Sequence, residues 1–183
     1  MHYGRRSASQ APFHTRRLEL QGRVSAALTL ALFEPDIPPN TGTMLRMCAC
    51  LGIDAALIEP AAFSISDPRF RRAAMDYIER VRLTRHASWR AFLEWRAKIP
   101  ARLILLTTRA SLAYTELEYA AGDVLLVGRE SAGVPDEVHA AADARLSVPM
   151  QPHMRSLNVA IAAAMVAGEA LRQIRWAKAD PAR

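Results

Sequence analysis

Side chains able to do chemistry collect in three short segments of this 183-residue chain. In the first, Glu34-Pro-Asp-Ile-Pro-Pro-Asn-Thr-Gly-Thr-Met-Leu-Arg46, Pro35, Pro38 and Pro39 precede Asn40 and Arg46. Each proline fixes its own φ and restricts the residue before it, so this loop has little entropy left to lose. Asn40 stands where an N-cap belongs, and Thr41 and Gly42 are small enough for a ligand to reach the backbone. Helical spacing places Met44, Leu45, Met47, Cys48 and Leu51 on an inward face and Arg46 opposite, among Gly42, Thr43, Ala49 and Cys50. A guanidinium in that shallow dish suits an anion or ribose contact; a solvated surface arginine is the other reading.

The second segment is Gly128-Arg-Glu-Ser-Ala-Gly-Val-Pro135, with two glycines for close backbone approach. Glu130 beside Arg129 could serve hydrolysis, but neither a second carboxylate nor a Ser–His pair accompanies it. A carboxylate that holds loop amides is the alternative role for Glu130. The third segment, Pro149-Met-Gln-Pro-His-Met-Arg-Ser-Leu-Asn158, carries Arg155, Ser156 and Asn158, of which the last two also read as a helix cap and its neighbour. Walker spacing and G-x-G-x-x-G are both absent from these loops, which excludes a P-loop and the usual dinucleotide fingerprint. Backbone amides and carbonyls of such late loops suit an adenine ring and a thioether better than a triphosphate.

The elements that must carry these loops alternate. Apolar, β-rich runs at 25–33, 55–59, 81–84, 102–107, 124–127 and 146–148 read as strands. Helical patterns fill 41–51, 68–75 with Asp67 as cap, 88–97, 135–141 and 157–178. The alternation predicts an α/β fold, a mostly parallel sheet with helices on both faces, and each chemical segment leaves a strand end, where open α/β sheets bind ligands. One domain over 24–178 is expected, with a basic, disordered extension at 1–23 and a frayed tail at 179–183. From Val159 to Gly168 the last helix has no charged side chain, so it must be covered all round. A two-fold homodimer through this helix is the economical cover; a deep core position is the alternative.

Net charge is +6 and the pI is near 10.0, which points to an anionic partner such as nucleic acid. Arg5, Arg6, Arg16, Arg17 and Arg23 against Glu19 put +4 of that on residues 1–23. A second cluster, Arg69, Arg71, Arg72, Arg80, Arg82 and Arg85, follows Pro68 and is opposed by Asp67, Asp76 and Glu79. Phosphate contact and a solvated charged face are both open for it. Cys48 and Cys50 sit on different helix faces and read as reduced thiols of a cytoplasmic protein. Histidines at 2, 14, 86, 139 and 153 are scattered, and no metal site is indicated. No apolar run approaches the roughly 20 residues of a membrane span, so no membrane partner is expected.

Three ordered matches now bear on function. Glu34 to Gly42 with Arg46, then Gly128 to Pro135, then Val148-Pro-Met150 with Arg155-Ser-Leu-Asn158 resemble the signature segments of the SPOUT RNA methyltransferases. Ile58-Glu-Pro60, Arg69 to Arg72, Asp76-Tyr77, Leu83-Thr-Arg-His86 and Leu106-Thr-Thr108 extend the likeness, over about residues 27–174, toward the family that methylates the ribose of tRNA nucleotide 34. The resemblance implies a C-terminal trefoil knot, S-adenosyl-L-methionine bound in a bent form, and a dimer placing both chains at each site. It implies cofactor contacts at Leu106, Gly128, Val148, Met150, Ser156 and Leu157, and a catalytic set of Asn40, Arg46, Glu130 and Asn158. RNA phosphates would meet Arg155, Arg69, Arg71 and Arg72, with leucine tRNAs as the substrates. Where relatives often carry serine, asparagine and tyrosine, this chain has Ala160, Ile161 and Gly168. A non-catalytic RNA-binding protein of this fold and a 2'-O-methyltransferase for a different RNA position are the competing readings.

Overall fold

The computed structural model of the chain describes residues 18–20, 23–25, 27–64 and 66–176. Most of the expected 1–23 extension and the whole 179–183 tail lie outside the described residues. β1 (Leu18–Leu20), in the extension, pairs antiparallel with β2 (Arg23–Ser25), which crosses the expected boundary at residue 24.

The domain alternates as its apolar pattern requires: β3 (Thr29–Phe33), α1 (Pro38–Leu51), β4 (Asp54–Ile58), α2 (Pro68–Ala74), β5 (Leu83–His86), α3 (Trp89–Arg96), β6 (Leu103–Leu106), β7 (Val124–Val127), α4 (Asp136–Ala141), β8 (Ala144–Leu146) and α5 (Val159–Trp176). A 3-10 turn, Met75–Glu79, follows α2. Six strands form one sheet in the order β5-β4-β3-β7-β6-β8, every neighbouring pair parallel. Alternation along the strands divides the core. Leu30, Leu32, Leu57, Ile104 and Leu125 join the layer under α1, α2 and α5. Ala31, Phe33, Ile58, Leu105 and Leu126 join Phe92 and Val138 of α3 and α4 on the opposite face. Both faces are covered, which is why the strands read as nearly unbroken apolar runs.

Several boundaries differ from the sequence reading for local reasons. Helix α1 starts at Pro38, with Ile37 in the cap position and no side-chain cap bond. Two prolines occupy its first turn, where a missing N–H costs nothing, so Asn40 is inside the helix and is not its N-cap. Gly52 closes the helix in the left-handed conformation, φ 67°. Gly42 is needed for packing: a Cβ there would lie 2.7 Å from Ala73 Cβ and 2.8 Å from Phe70 O. It admits α2, not a ligand. Strand β8 ends at Leu146, earlier than expected, because the Ser147 amide donates to Leu112 O and its carbonyl accepts from Tyr114 N instead of extending the ladder. Helix α5 starts two residues later than expected, where the Asn158 carboxamide oxygen caps the amides of Ala160 and Ile161 at 2.9 and 3.3 Å.

Candidate active site

A parallel sheet gathers the carboxyl ends of its strands at one edge, and the three polar segments meet there. Leu106 ends β6, Gly128 follows β7, and residues 148–158 return from β8 toward α5. Between them lies a cavity of about 410 Å³. Leu106, Gly128, Val148, Met150, Ser156 and Leu157 all line it, as do Asn40, Glu130 and Asn158. Nine residues named from the sequence thus line one cavity.

One side of this cavity is tied by a continuous chain of hydrogen bonds. Asn158 Nδ2 donates to Asn40 Oδ1 at 2.9 Å, and Asn40 Nδ2 donates to Glu130 Oε1 at 3.0 Å. Glu130 Oε2 accepts from the Asp36 amide at 3.2 Å, while Asp36 Oδ1 accepts from the Glu130 amide at 3.2 Å. Ser131 donates both its amide and its hydroxyl to Asp36. Arg129 pairs with Glu34 and lies over the Phe33 ring. Glu130 therefore holds a loop amide and an active-site carboxamide at once, the structural one of the two roles open to it from sequence. Its carboxyl is pushed above the usual range by burial and by the facing Asp36 carboxyl, against the lowering effect of the Asn40 carboxamide and of the Asp36 amide. The Glu130 carboxyl is in turn the main reason Asp36 is held below its usual range, with burial opposing.

Loop 128–134 closes on itself. Arg129 and Gly133 exchange both backbone hydrogen bonds, 3.0 and 2.9 Å, with Gly133 at φ +66°. A Cβ on Gly128 would stand 2.6 Å from the Gly133 carbonyl carbon, so its own chain makes the close approach foreseen for a ligand. The fold of the loop still leaves the Gly128 backbone on the cavity wall.

The remaining predicted residues are placed elsewhere. Arg46 does not line this cavity; it is exposed on α1, with Nη1 3.2 Å from Met75 Sδ and its guanidinium carbon 5.1 Å from the Tyr77 ring centroid. The dish of small side chains is therefore closed on one side by an aromatic ring, which helix geometry alone gave no reason to expect. Arg69 is paired with Asp67 at 2.9 Å, the α2 N-cap residue, and Arg71 and Arg72 are exposed on the same short helix. Arg155 is exposed in the 149–158 loop. Asp36, Ser131 and the Arg129–Glu34 pair were not singled out from sequence. Asp36 had one legible signal, a carboxylate locked between prolines ahead of the helix.

The sequence pattern of the SpoU rRNA Methylase family matches residues 27–168, which include every segment of the cavity wall. The chain belongs to that family. Among its relatives, a tRNA (cytidine(34)-2'-O)-methyltransferase of Beijerinckia indica is 61% identical over 145 residues, covering 79% of this chain and 91% of that protein. A solved structure described for 2-OH methylation of C/U34 on tRNA is 40% identical, with a TM-score of 0.77, covering 81% of this chain and 96% of the other. An AdoMet-bound rRNA methyltransferase from Sinorhizobium meliloti is 27% identical, with a TM-score of 0.75, covering 81% of this chain and 57% of that one.

The cavity of this SpoU-family chain fits the methyl donor in size and chemistry. Its volume lies within the range of about 300–1,000 Å³ common for small-molecule sites. Leu106, Val127, Leu146 and Leu157 offer apolar surface for an adenine and a thioether, while strand-end backbone groups and the asparagine pair offer polar contacts. No helix among the described residues is long and apolar enough to cross a membrane.

Proposed function

We propose that this chain transfers the methyl group of S-adenosylmethionine to the ribose 2'-hydroxyl of nucleotide 34, the cytidine or uridine at the wobble position of a tRNA, with leucine tRNAs as substrates. The observation that carries the reading is the convergence of Asn40, Glu130 and Asn158 with Leu106, Gly128, Val148, Met150, Ser156 and Leu157 on one cavity. The bound donor supplies a methyl group on a positively charged sulfur. Leu106, Val148 and Leu157 would exclude water around it, and the Asn158–Asn40–Glu130 chain fixes one wall of the cavity that would hold it.

Arg46 then acts on the RNA. A guanidinium stays protonated in proteins and makes a poor free base. Its part is to clamp the phosphate beside the target ribose and to stabilise alkoxide charge as the hydroxyl attacks, while the proton leaves to phosphate or water. Tyr77 supports the guanidinium from behind by cation–π contact. Arg69, Arg71, Arg72 and Arg155 supply further phosphate contacts.

Since Arg46 is off the wall of its own cavity, the proposed assembly is a homodimer through α5 in which each protomer completes the other's site. Ile161 is 54% exposed and Met165 38% exposed, on an α5 stripe with Ala164 and Gly168 that the chain itself leaves uncovered. Gly168 stands in that stripe where relatives often carry a tyrosine, which removes bulk from this seam. A C-terminal trefoil knot belongs to the same reading and is supported by the pairing of Ser147 with Leu112 and Tyr114, which holds the 107–123 segment beside the chain returning from β8. The enzyme works in the cytoplasm.

Mass-spectrometric mapping of ribose methylation in tRNA from cells with and without the protein tests the proposal. Loss of the methyl mark at nucleotide 34 is the expected result, and an unchanged wobble nucleotide overturns it. Calorimetry with S-adenosylmethionine separates the enzyme from a non-catalytic RNA binder, which would not bind the donor.

A further inference from the structure

Helix α2 ends on a residue in a conformation that suits glycine. Met75 takes φ 52° and ψ −143°, a region that side chains rarely tolerate, while its amide donates to Arg71 O to close the helix. A long side chain at such a position needs an interaction that offsets the strain. Burial does not supply it, because Met75 is 53% exposed within the chain. Its thioether instead accepts from Arg46 Nη1 at 3.2 Å, and the Tyr77 ring centroid lies 5.1 Å from the same guanidinium carbon. Both supports are uncharged. Arg69, Arg80 and Arg85 of the same basic cluster pair with Asp67, Asp76 and Glu59, and Glu34, also at positive φ, pairs with Arg129. Among the described residues Arg46 has no carboxylate partner, so its position is set without loss of its charge.

We propose that Met75 is a positioning residue for Arg46: its thioether, set by the positive-φ backbone at the end of α2, holds the guanidinium beside Tyr77 without neutralising it. The inference rests on the phosphate-clamp role proposed for Arg46 above and adds the residue that orients the clamp. A thioether is a weak acceptor and engages one of five guanidinium N–H groups, which leaves the charge and the other donors to a phosphate. A carboxylate in its place would fix the same geometry but compete with the phosphate for the guanidinium. The backbone explains why the support stands at this position. The reversal of φ at Met75 stops α2 and starts the 3-10 turn, so that Met75 and Tyr77, two apart in sequence, both reach Arg46. One strained junction thus presents an edge contact and a face contact to one planar cation.

The test uses the full-length protein, with tRNA affinity measured without methyl donor and methyl transfer to tRNA measured in a single turnover. Met75→Gly accepts the positive φ without strain, so its melting temperature should match or exceed that of the parent while transfer falls about tenfold, a moderate cost for a misplaced charge-stabilising group. A merely structural residue would move stability and rate in the same direction. Met75→Gln returns an uncharged acceptor and should recover most of the lost rate. Met75→Glu holds the guanidinium but neutralises it, and should weaken tRNA binding about tenfold, the scale of one charge-assisted hydrogen bond. In an Arg46→Ala background all three substitutions should lose their effects on rate and affinity, because the interaction they alter is gone. Parent-like transfer by Met75→Gly, or a loss that persists in the Arg46→Ala background, overturns the inference. So does a melting temperature lower by several degrees, or a shift from dimer to monomer, either of which assigns Met75 to packing. Met75→Glu effects that require Arg46, with no methyl at nucleotide 34, defeat the proposed methylated position alone. Parent-like transfer and affinity in Arg46→Ala itself defeat the clamp and this inference together.

Discussion

The two walls of the cavity are built in opposite ways. The wall of residues 34–40 and 128–134 is cross-braced: Asp36, Asn40, Glu130 and Ser131 share one hydrogen-bond chain, and Arg129 with Glu34 adds an ion pair. The facing wall, to which Met150, Ser156 and Leu157 contribute, belongs to a loop whose residues 151–157 are all exposed and whose backbone makes a local turn bond, Met154 N to Gln151 O at 3.2 Å. Met154 and Leu157 present apolar side chains to solvent. Bracing one wall before the ligand arrives lowers the entropy lost on binding, whereas the open wall gains its contacts only when donor, RNA or a second chain covers it. The lesson is that preorganisation here is one-sided. Asn158 stands at the seam, bonded to Asn40 while capping α5.

Four measurements bear on that contrast, beginning with the largest effect. Arg46 belongs to neither wall, so Arg46→Ala should leave donor binding intact and lower methyl transfer by about 100- to 1,000-fold, the usual cost of removing one charge-stabilising donor. Arg46→Lys should recover little of it, because an ammonium cannot make the bidentate phosphate contact. Normal turnover of the lysine variant in a single-turnover assay would remove the clamp from the mechanism. Next, Asn40→Ala cuts the braced wall at its centre and breaks its bonds to both Glu130 and Asn158. It should lower the unfolding free energy by about 1–3 kcal/mol, the range for unsatisfied partially buried groups, as well as activity. Urea denaturation followed alongside methyl transfer checks both.

On the open wall the pattern should reverse. Leu157→Ala should weaken S-adenosylmethionine binding by about tenfold through lost apolar burial while the melting temperature stays within a degree or two, since Leu157 is exposed without ligand. Calorimetry and a thermal melt decide it; a large loss of stability would show that the wall is already packed.

The smallest effect is the pH response of the brace. Glu130 has a raised pKa in the folded state, so its contribution is complete at low pH and is lost as pH rises through the raised value. Asp36 has a lowered pKa, so its contribution is present above the ordinary aspartate range and is lost as pH falls through the lowered value. The brace is strongest between the two. Glu130→Gln should flatten the alkaline limb and Asp36→Asn the acid limb of a stability-versus-pH curve, each by a change on the order of 1 kcal/mol, the scale of one hydrogen bond. An unchanged curve for both variants would mean that the carboxyl pair does not titrate as a unit.

Much of the fold was legible because its signals are local. Short apolar runs such as Leu103 to Leu106 and Val124 to Val127, set between helical patterns, read as strands buried on both faces, and the prolines before Asn40 announce a stiff helix entry. The misreadings came from residues with two uses. Asn40 has the right chemistry for an N-cap, but Pro38 and Pro39 begin the helix without help, which frees its carboxamide for Glu130. Gly42 looks like an opening for a ligand until Ala73 and Phe70 of α2 are seen to occupy the space. Tyr77 beside Arg46 could not be foreseen, because 31 residues separate them in sequence and only the docking of the 3-10 turn on α1 joins them.

By itself the sequence determined the element types, the polar residues of the site and the family likeness, since periodicity, turn chemistry and motif order act over a few residues. Tertiary structure alone decided which residues share a cavity: Asn158 reaches Asn40 across 118 positions, and Glu130 reaches Asn40 across 90. It also showed that Arg46 lies off that cavity, against Met75 and Tyr77. The physical reason is that pairing and desolvation depend on what the folded chain brings within about 3 Å, and a local pattern carries no information about such distant neighbours.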